Sequence, residues 1–312
     1  MKSPRHRNSP NWFSRLFGAQ RPPAEARLAA APAPLAPRPS PLHHASQQAA
    51  DPVATPSAYT VERVTSIRHY TDRLFKFRLT RPQAFRFRSG EFVMIGLRKE
   101  TGAPLLRAYS IASPAWDDEL EFYSIKAPNG PLTSRLQHIK PGDEVLIARK
   151  PTGTLVLDAL TPGKRLFLIS TGTGFAPFAS LLREPETYSK FEEVVVTHTC
   201  RLDAELEYSH EIVKTLPEDP LVGDLARSRV TLYTSCTRDA CEHTGRITDL
   251  IATGKLFTDL AIAPLDPTRD RVMICGSLAM IQDVHALLSA AGFREGANSA
   301  PAEFVIEKAF AG

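Results

Sequence analysis

The periodicity of the apolar residues changes once along this 312-residue chain, near Pro162-Gly163-Lys164. From residue 59 to that point, short segments alternate in the manner of β-strands and are separated by turns such as Pro141-Gly142-Asp143. Beyond it, apolar strands alternate with helical segments, which is typical of a parallel sheet covered on both faces. The sequence therefore predicts an antiparallel Greek-key β-barrel over residues 58–160, followed by a Rossmann-like α/β domain with a parallel sheet over residues 161–312.

Residues 1–57 differ in composition from the remainder. Nine of the 26 prolines lie before residue 42, and a Pro/Ala-rich segment cannot bury a core, so we expect this tail to be disordered. The first 50 residues hold seven Lys or Arg and one acidic residue, a net +6, so the rest carries −2 of the overall +4. This balance gives no reason to expect nucleic-acid binding by the folded part.

Trp12, Phe13, Leu16 and Phe17 stand at helical spacing near the start of the tail. One interpretation is a short interfacial anchor or a presequence that touches a surface; an unstructured extension is the favoured one. No apolar run is long enough for a signal sequence or for stable membrane insertion. We therefore expect a cytoplasmic protein, and a monomer.

The segment Arg107-Ala108-Tyr109-Ser110 combines a cation, an aromatic ring and a hydroxyl on one predicted strand. Arg107 and Tyr109 project from the same face because side chains alternate along a strand, so a ligand with both a phosphate and a flat ring would contact both. Further along, the turn Asn129-Gly130-Pro131 precedes a predicted helix whose first residues include Thr133. Free N–H groups at a helix N-terminus, together with hydroxyl donors, indicate a second position for an anion.

A glycine-rich turn joins the first predicted strand of the α/β region to a helix. The strand at residues 165–170 leads into Thr171-Gly172-Thr173-Gly174-Phe175-Ala176-Pro177. Glycines at such a turn let a pyrophosphate approach the backbone over the helix N-terminus. Gly-x-Gly alone is a weak signal, and Pro177 occupies the position of the third Gly in the common dinucleotide fingerprint.

Together these segments resemble the corresponding parts of ferredoxin–NADP reductases of the bacterial type. The resemblance extends over residues 59–312 and includes the Gly-Thr-Gly-x-Ala-Pro motif, found here at residues 172–177. It implies FAD and NADPH as cofactors, with Arg107 pairing with the FAD pyrophosphate, Tyr109 stacking on the isoalloxazine and Ser110 near the reactive flavin nitrogen. The FAD-binding residues that it implies are Arg107, Ala108, Tyr109, Ser110, Tyr123, Ser124, Ile125, Gly130, Pro131, Leu132, Thr133, Ser134, Thr173, Ala309 and Phe310.

The resemblance also places three arginines around the adenosine ribose of the nicotinamide nucleotide: Arg201, Arg238 and Arg246. In α/β sheets ligands bind at the carboxyl ends of strands, and a 2′-phosphate requires cations. We therefore expect a preference for NADPH over NADH, although Asp203 and Asp239 would repel a phosphate if they lay close to it. The implied NADP-binding residues are Gly172, Thr173, Gly174, Arg201, Thr237, Arg238, Arg246 and Gly276.

Cys275 ends an apolar predicted strand, where a cysteine is commonly a small buried residue. The resemblance implies in addition that it lies against the nicotinamide and helps to position the reactive carbon. Tyr109, Ser110 and Cys275 are therefore the predicted catalytic residues. Near the C-terminus the resemblance places Ala309 in the position of the flavin-stacking Tyr of plant-type relatives, with Phe310 extending past it toward the FAD.

The four cysteines stand at positions 200, 236, 241 and 275. Their spacing does not fit a plant-type iron–sulfur pattern or paired zinc knuckles. This argues against a fused iron–sulfur domain, and no metal site is predicted. In an intracellular setting the cysteines are expected to be thiols rather than disulfides.

These interpretations combine into one predicted function, a flavoprotein that takes hydride from NADPH and passes single electrons, reversibly, to ferredoxin or flavodoxin. Two alternatives stay open. One is the reductase component of an oxygenase or cytochrome, and the other is a non-catalytic flavin-binding regulator. Electron carriers of this kind are typically acidic, so basic barrel residues are candidates for the complementary surface. They are Lys76, Arg78, Arg86, Arg88, Arg98 and Lys99.

Overall fold

The structure, a computed structural model, describes residues 58–307. Its strands are β1 (Tyr59–His69), β2 (Leu74–Thr80), β3 (Phe92–Arg98), β4 (Pro104–Ser110), β5 (Glu119–Ile125), β6 (Glu144–Ala148), β7 (Arg165–Thr171), β8 (Glu193–Cys200), β9 (Val230–Cys236), β10 (Asp270–Cys275) and β11 (Phe304–Ile306). Its α-helices are α1 (Thr133–Leu136), α2 (Ala176–Leu182), α3 (Pro185–Lys190), α4 (Glu207–Thr215), α5 (Gly223–Ala226), α6 (Ile247–Ala252), α7 (Lys255–Asp259) and α8 (Leu278–Ala290). The predictions for residues 1–57, Ala309 and Phe310 fall outside the described residues.

The first six strands form an antiparallel sheet in the order β4-β3-β6-β1-β2-β5. The pairing of β6 with both β3 and β1 brings strands that are distant in sequence side by side, as in a Greek key. The register of β1 against β2 shifts between Val64 and Ser66, and such a bulge bends a strand and increases its twist. The predicted antiparallel barrel is confirmed.

The interior of this barrel is filled by side chains that alternate along the strands. Phe75, Phe77 and Leu79 of β2 pack against Phe122 of β5 and against apolar residues of β3 and β6. The end strands β4 and β5 meet through side chains, since the Tyr109 hydroxyl lies 3.2 Å from Ser124 Oγ and the Tyr109 ring stands edge-on to Phe122. A rigid, fully packed barrel therefore supports Tyr109.

The remaining strands form a parallel sheet in the order β11-β10-β7-β8-β9. Alternate residues of β7 enter different cores: Leu166 and Leu168 face one, and Phe167 and Ile169 face the other. Helices therefore cover both faces, as predicted for a Rossmann-like region. No helix among residues 58–307 combines the length and the apolar character needed to cross a membrane. The boundary between residues 160 and 161 stays a prediction.

A buried polar contact joins the barrel to the parallel-sheet region. Glu121 of β5 accepts a hydrogen bond of 2.7 Å from the Tyr208 hydroxyl of α4, and its carboxylate lies 3.5 Å from both Lys76 Nζ and Arg183 Nη2. Burial alone would raise the pKa of Glu121, but Arg183, Lys76 and the Tyr208 hydrogen bond outweigh it and hold the pKa below its usual value. Tyr208 also stacks on Tyr123 of β5, with ring centroids 4.3 Å apart.

Candidate functional site

A cavity of about 790 Å³ lies where the barrel meets the parallel sheet, a volume typical of small-molecule sites. Strands β4 and β5 and the turn before α1 form its barrel wall, and the segments that follow β7, β8, β9 and β10 form its α/β wall. The predicted site residues that line it are Arg107, Ala108, Tyr109, Ser110, Tyr123, Ser124, Ile125, Gly130, Pro131, Leu132, Thr133, Gly172, Thr173, Gly174, Arg201, Thr237, Arg246, Cys275 and Gly276. Ser134 and Arg238 are described but do not line it.

The barrel wall is built on β4, whose seven residues all pair with β3. Arg107 is exposed, and its guanidinium uses Nη1 to donate to the carbonyl of Leu106 at 2.8 Å, which leaves further N–H donors for an anion. Burial raises the pKa of Tyr109, so its hydroxyl stays neutral and shares a hydrogen bond with Ser124. This wall therefore presents a cation and a fixed aromatic ring, as the sequence predicted.

The turn before α1 is tightly packed. A Cβ on Gly130 would lie 2.1 Å from Thr133 Oγ1, so only glycine fits without a shift. The Thr133 hydroxyl donates to the carbonyl of Ala127 at 3.1 Å, and the Ser134 N–H donates to the carbonyl of Gly130 at 3.1 Å. The Thr133 hydroxyl and the Ser134 amide therefore already have partners within the turn.

The glycine turn after β7 has a backbone conformation that side chains rarely adopt. Gly172 has φ 54°, and a Cβ there would meet nothing within 4 Å, so this position is open. Gly174 is the opposite case, because its Cβ would lie 2.3 Å from the Cys275 carbonyl oxygen. A Cβ on Gly276 would lie 2.2 Å from Thr171 Oγ1. The turns after β7 and β10 therefore pack backbone against backbone, which the glycines permit.

His198 of β8 supports this turn and was not among the predicted site residues. It is fully buried, with Nε2 2.9 Å from the Gly172 carbonyl and Nδ1 2.8 Å from Ser209 Oγ. Burial lowers its pKa to about 4, so the imidazole is neutral near pH 7. Because a carbonyl only accepts, we assign the proton to Nε2, which donates to Gly172. A polar residue within an apolar strand was the signal available in the sequence.

Cys275 lies at the end of β10 on the α/β wall and is 1% exposed. Burial raises the pKa of its thiol, so the side chain is a neutral, compact group rather than a nucleophile. The neighbouring Ser277 N–H donates to Thr171 Oγ1 at 3.0 Å and ties the β10 turn to the β7 turn. Cys275 is therefore suited to contact a bound group without reacting with it.

Of the three arginines predicted to surround the ribose phosphate, two line the cavity and one does not. Arg201 and Arg246 line the cavity, whereas Arg238 contributes a backbone N–H that donates to the Arg201 carbonyl at 2.9 Å. Asp239 Oδ2 accepts from the Asp203 N–H at 3.1 Å, so this carboxylate is bonded within the loops and neither acid lines the cavity. Arg201 and Arg246 thus remain on the cavity wall. They lie toward the carboxyl ends of the strands, where parallel sheets usually bind ligands.

The antiparallel barrel, the glycine turn of the parallel sheet and the cavity between them define a two-domain oxidoreductase of the flavin-and-nicotinamide class. Residues 58–156 match the oxidoreductase FAD-binding domain and residues 168–286 the oxidoreductase NAD-binding domain. The chain is 62% identical over 251 residues to the flavodoxin/ferredoxin–NADP reductase of Rhodobacter capsulatus, a match that spans 80% of this chain and 93% of that protein. The chain belongs to the ferredoxin/flavodoxin–NADP reductase family.

Two further comparisons agree. The ferredoxin–NADP reductase of Pseudomonas aeruginosa is 50% identical over 250 residues, which is 80% of this chain and 96% of that protein. A crystal structure of a ferredoxin–NADP reductase from Neisseria gonorrhoeae, with bound FAD and NADP, superposes with a TM-score of 0.73 and 28% identity and covers 80% of this chain and 98% of that one. Sequence and fold therefore lead to the same family.

Proposed function

We propose that this chain is an FAD-dependent reductase that takes hydride from NADPH and passes single electrons, reversibly, to ferredoxin or flavodoxin. The observation that carries the proposal is the single cavity in which the Arg107–Ser110 segment of the barrel faces the Gly172–Gly174 turn and Cys275. Hydride transfer requires that two cofactors meet within contact distance, and a cavity with one wall suited to each satisfies this requirement.

The residues of the barrel wall fit FAD. Arg107 offers a cation to a pyrophosphate, and the turn at Gly130 lies on the same wall of the cavity. The Tyr109 ring, held by Ser124 and Phe122, provides a flat surface for stacking. Bound FAD supplies the redox chemistry, since a flavin accepts two electrons as hydride and releases them one at a time.

The residues of the α/β wall would position the nicotinamide. His198 fixes the Gly172 carbonyl, and the contact of Gly174 with the Cys275 backbone sets the distance between the two turns. The neutral Cys275 thiol and Thr173 then line the place where the two rings would meet. Their contribution is orientation and exclusion of water, so no acid–base pair is required for the transfer.

Selectivity for NADPH is supported by Arg201 and Arg246 on the cavity wall. Guanidinium groups form charge-assisted hydrogen bonds with a 2′-phosphate that a free 2′-hydroxyl cannot match. Asp203 and Asp239 do not line the cavity, so the repulsion considered for them is weaker than their position in the sequence suggested.

The surface for an acidic carrier is smaller than the sequence suggested. Lys76 is occupied by Glu211 at 3.0 Å, and Arg78 by Asp117 at 2.6 Å. Arg88 is likewise paired, with Glu91 at 3.0 Å. The basic residues that remain for docking are Arg86, Arg98 and Lys99. The monomeric state and the cytoplasmic location stay predictions.

The proposal is tested by reducing the protein with NADPH without oxygen and then mixing it with oxidised ferredoxin or flavodoxin. We expect rapid oxidation of the flavin, slowed at least about tenfold at low ionic strength in Arg86→Glu/Lys99→Glu, because opposite charges steer encounter. Lys164→Glu is the matched control. Lys164 is exposed and precedes β7, so it lies at the amino ends of the parallel strands, opposite the cavity. A flavin that NADPH reduces but neither carrier reoxidises would favour the regulator or the oxygenase component instead.

A further inference from the structure

A second group of chemically reactive side chains lies beside the dinucleotide cavity without lining it. Cys236 ends β9, Cys241 lies in the loop that follows, and Asp203 begins the short 3-10 helix after β8. Their two sulfur atoms and one carboxylate oxygen all lie within 4.8 Å of one another. The ferredoxin/flavodoxin reductase reaction proposed above uses none of the three.

We propose that Asp203, Cys236 and Cys241 form a binding site for one soft divalent metal ion of the zinc type, with water as the fourth ligand. Two thiolates and a carboxylate are ligands that zinc accepts, whereas magnesium and calcium require oxygen alone. In a tetrahedral zinc site with Zn–S bonds of about 2.3 Å, neighbouring sulfurs stand about 3.8 Å apart. The observed spacing therefore requires the ligand atoms to approach by no more than about 1 Å.

The burial of the three residues differs in a way that suits an ion entering from solvent. Cys236 is fully buried, Cys241 is partly exposed and Asp203 is exposed. One ligand thus lies at the base of the site, while the open side leaves room for entry and for a coordinated water. Cys200 and Leu206 pack against Cys236 and keep water from its inner side.

The backbone holds the buried ligand in place. The Cys236 N–H donates to the His243 carbonyl at 3.0 Å, and the Cys236 carbonyl accepts from the Gly245 N–H at 2.9 Å. Cys236 is also paired with Cys200 across the β8–β9 ladder. A ligand fixed in this way costs little conformational entropy when an ion binds.

The other two ligands lie in loops that already contact each other. Asp203 is oriented by its own N–H, which donates to Asp239 Oδ2 at 3.1 Å. The Cys241 thiol donates to the His243 carbonyl at 3.0 Å, and a metal–sulfur bond would replace this hydrogen bond. On binding, both thiols lose their protons to solvent and the ion brings two positive charges, so the net charge of the cluster does not change.

The sequence spacing could not show this site, because Asp203 is separated from Cys236 by a whole strand-and-helix unit. Only the parallel pairing of β8 with β9 brings the two loops together. The site is also independent of the reductase proposal, since it would bind an ion whether or not the chain transfers hydride.

The test is a titration of the full-length protein, with its cysteine thiols reduced and its flavin oxidised, in which Co²⁺ is the probe. Zn²⁺ is then added to displace the Co²⁺. Tetrahedral Co²⁺ with thiolate ligands absorbs red light, where oxidised flavin does not. We expect one Co²⁺ per chain, and affinity about tenfold or more lower in both Cys241→Ser and Asp203→Asn because each removes a ligand. Asp224→Asn is the matched control, since Asp224 is a fully exposed acid on α5, and it should bind as the unmodified chain does.

FAD content shows that each variant is folded. The proposal is overturned if Co²⁺ gives no tetrahedral spectrum. It is also overturned if Cys241→Ser and Asp203→Asn bind Co²⁺ as tightly as Asp224→Asn, because the ion would then be bound by other residues.

Discussion

The two walls of the cavity are built by different means. On the barrel wall, Arg107 and Tyr109 are side chains of β4, a strand paired along its whole length with β3. On the α/β wall, Gly172, Gly174 and Gly276 contribute backbone shape. The turns after β7 and β10 approach each other closely, and the Thr171 hydroxyl joins them. The barrel wall thus depends on which side chains are present, and the α/β wall on the absence of side chains at a few positions.

The largest expected effect concerns the contact that joins the two regions. Glu121→Ala removes the buried partner of Arg183 and of the Tyr208 hydroxyl, while Lys76 keeps Glu211, so we expect the free energy of unfolding to fall by about 3 kcal/mol. Glu144→Ala is the control, because Glu144 pairs with Arg63 at the surface and its loss should cost less than about 1 kcal/mol. Chemical unfolding followed by circular dichroism measures both. Equal losses would show that Glu121 does not link the regions.

The same carboxylate predicts a pH dependence. Because the folded protein holds the pKa of Glu121 below its usual value, the unfolded chain binds this proton more readily. The stabilisation by Glu121 is therefore complete above the usual Glu pKa and is lost as the pH falls toward the lower folded pKa. Glu121→Gln should flatten the acid side of the stability profile, and an unchanged slope there would contradict this assignment.

A somewhat smaller effect is expected on the α/β wall. In Gly174→Ala the new Cβ would meet the Cys275 carbonyl at 2.3 Å, so the two turns must separate by about 1 Å. A displacement of this size costs about 100-fold in a reaction that depends on orientation. We expect NADPH to reduce the flavin about 100-fold more slowly in a rapid-mixing experiment, with FAD content unchanged. Gly102→Asn, in the open turn between β3 and β4, should leave the rate unaltered.

On the barrel wall, two substitutions of Tyr109 distinguish the contribution of its ring to FAD binding from that of its hydroxyl. Tyr109→Ala removes the stacking surface, so we expect the dissociation constant of FAD to rise about thirtyfold. Tyr109→Phe loses only the 3.2 Å hydrogen bond to Ser124, which contributes about 1 kcal/mol. We expect it to raise the dissociation constant of FAD by less than about fivefold. Equilibrium titration of the apoprotein with FAD gives both values. If Tyr109→Phe were as damaging as Tyr109→Ala, the ring would not be the binding element.

The smallest expected effect distinguishes the arginines. Arg246 lines the cavity and Arg238 does not, so Arg246→Ala should raise the KM for NADPH about tenfold, and Arg238→Ala less than about threefold. The KM for NADH should change little in either variant, because NADH lacks the 2′-phosphate. Equal effects of the two substitutions would mean that the loops rearrange when the nucleotide binds.

The barrel wall could be predicted well because its residues are adjacent in sequence and strand alternation fixes their side. The glycine turn after β7 was equally visible, since a strand, two glycines and a helix follow one another directly. Glu121, Tyr208 and His198 were missed because their roles arise from contacts between distant segments, such as the Tyr208 bond to Glu121. Arg238 was implied by the resemblance and by its position after a strand; it does not line the cavity, and its role in nucleotide binding stays a prediction.

The basic residues of the barrel show the same limit of prediction from sequence, namely that contacts between distant segments are not visible in it. Lys76 and Arg78 alternate outward along β2, and sequence alone gives no reason to separate them from Arg86 or Lys99. The carboxylates that occupy them, Glu211 and Asp117, come from other parts of the chain. A charge pattern therefore identifies candidate surface residues, while packing decides which of them remain available.

The most direct measurement of the central claim is an anaerobic titration of the purified protein with NADPH and then with NADH, followed by the flavin absorbance. If the two walls hold FAD and NADPH as proposed, the protein is yellow, and NADPH bleaches it far more readily than NADH. A protein that holds flavin which neither nucleotide reduces would contradict hydride transfer across this cavity.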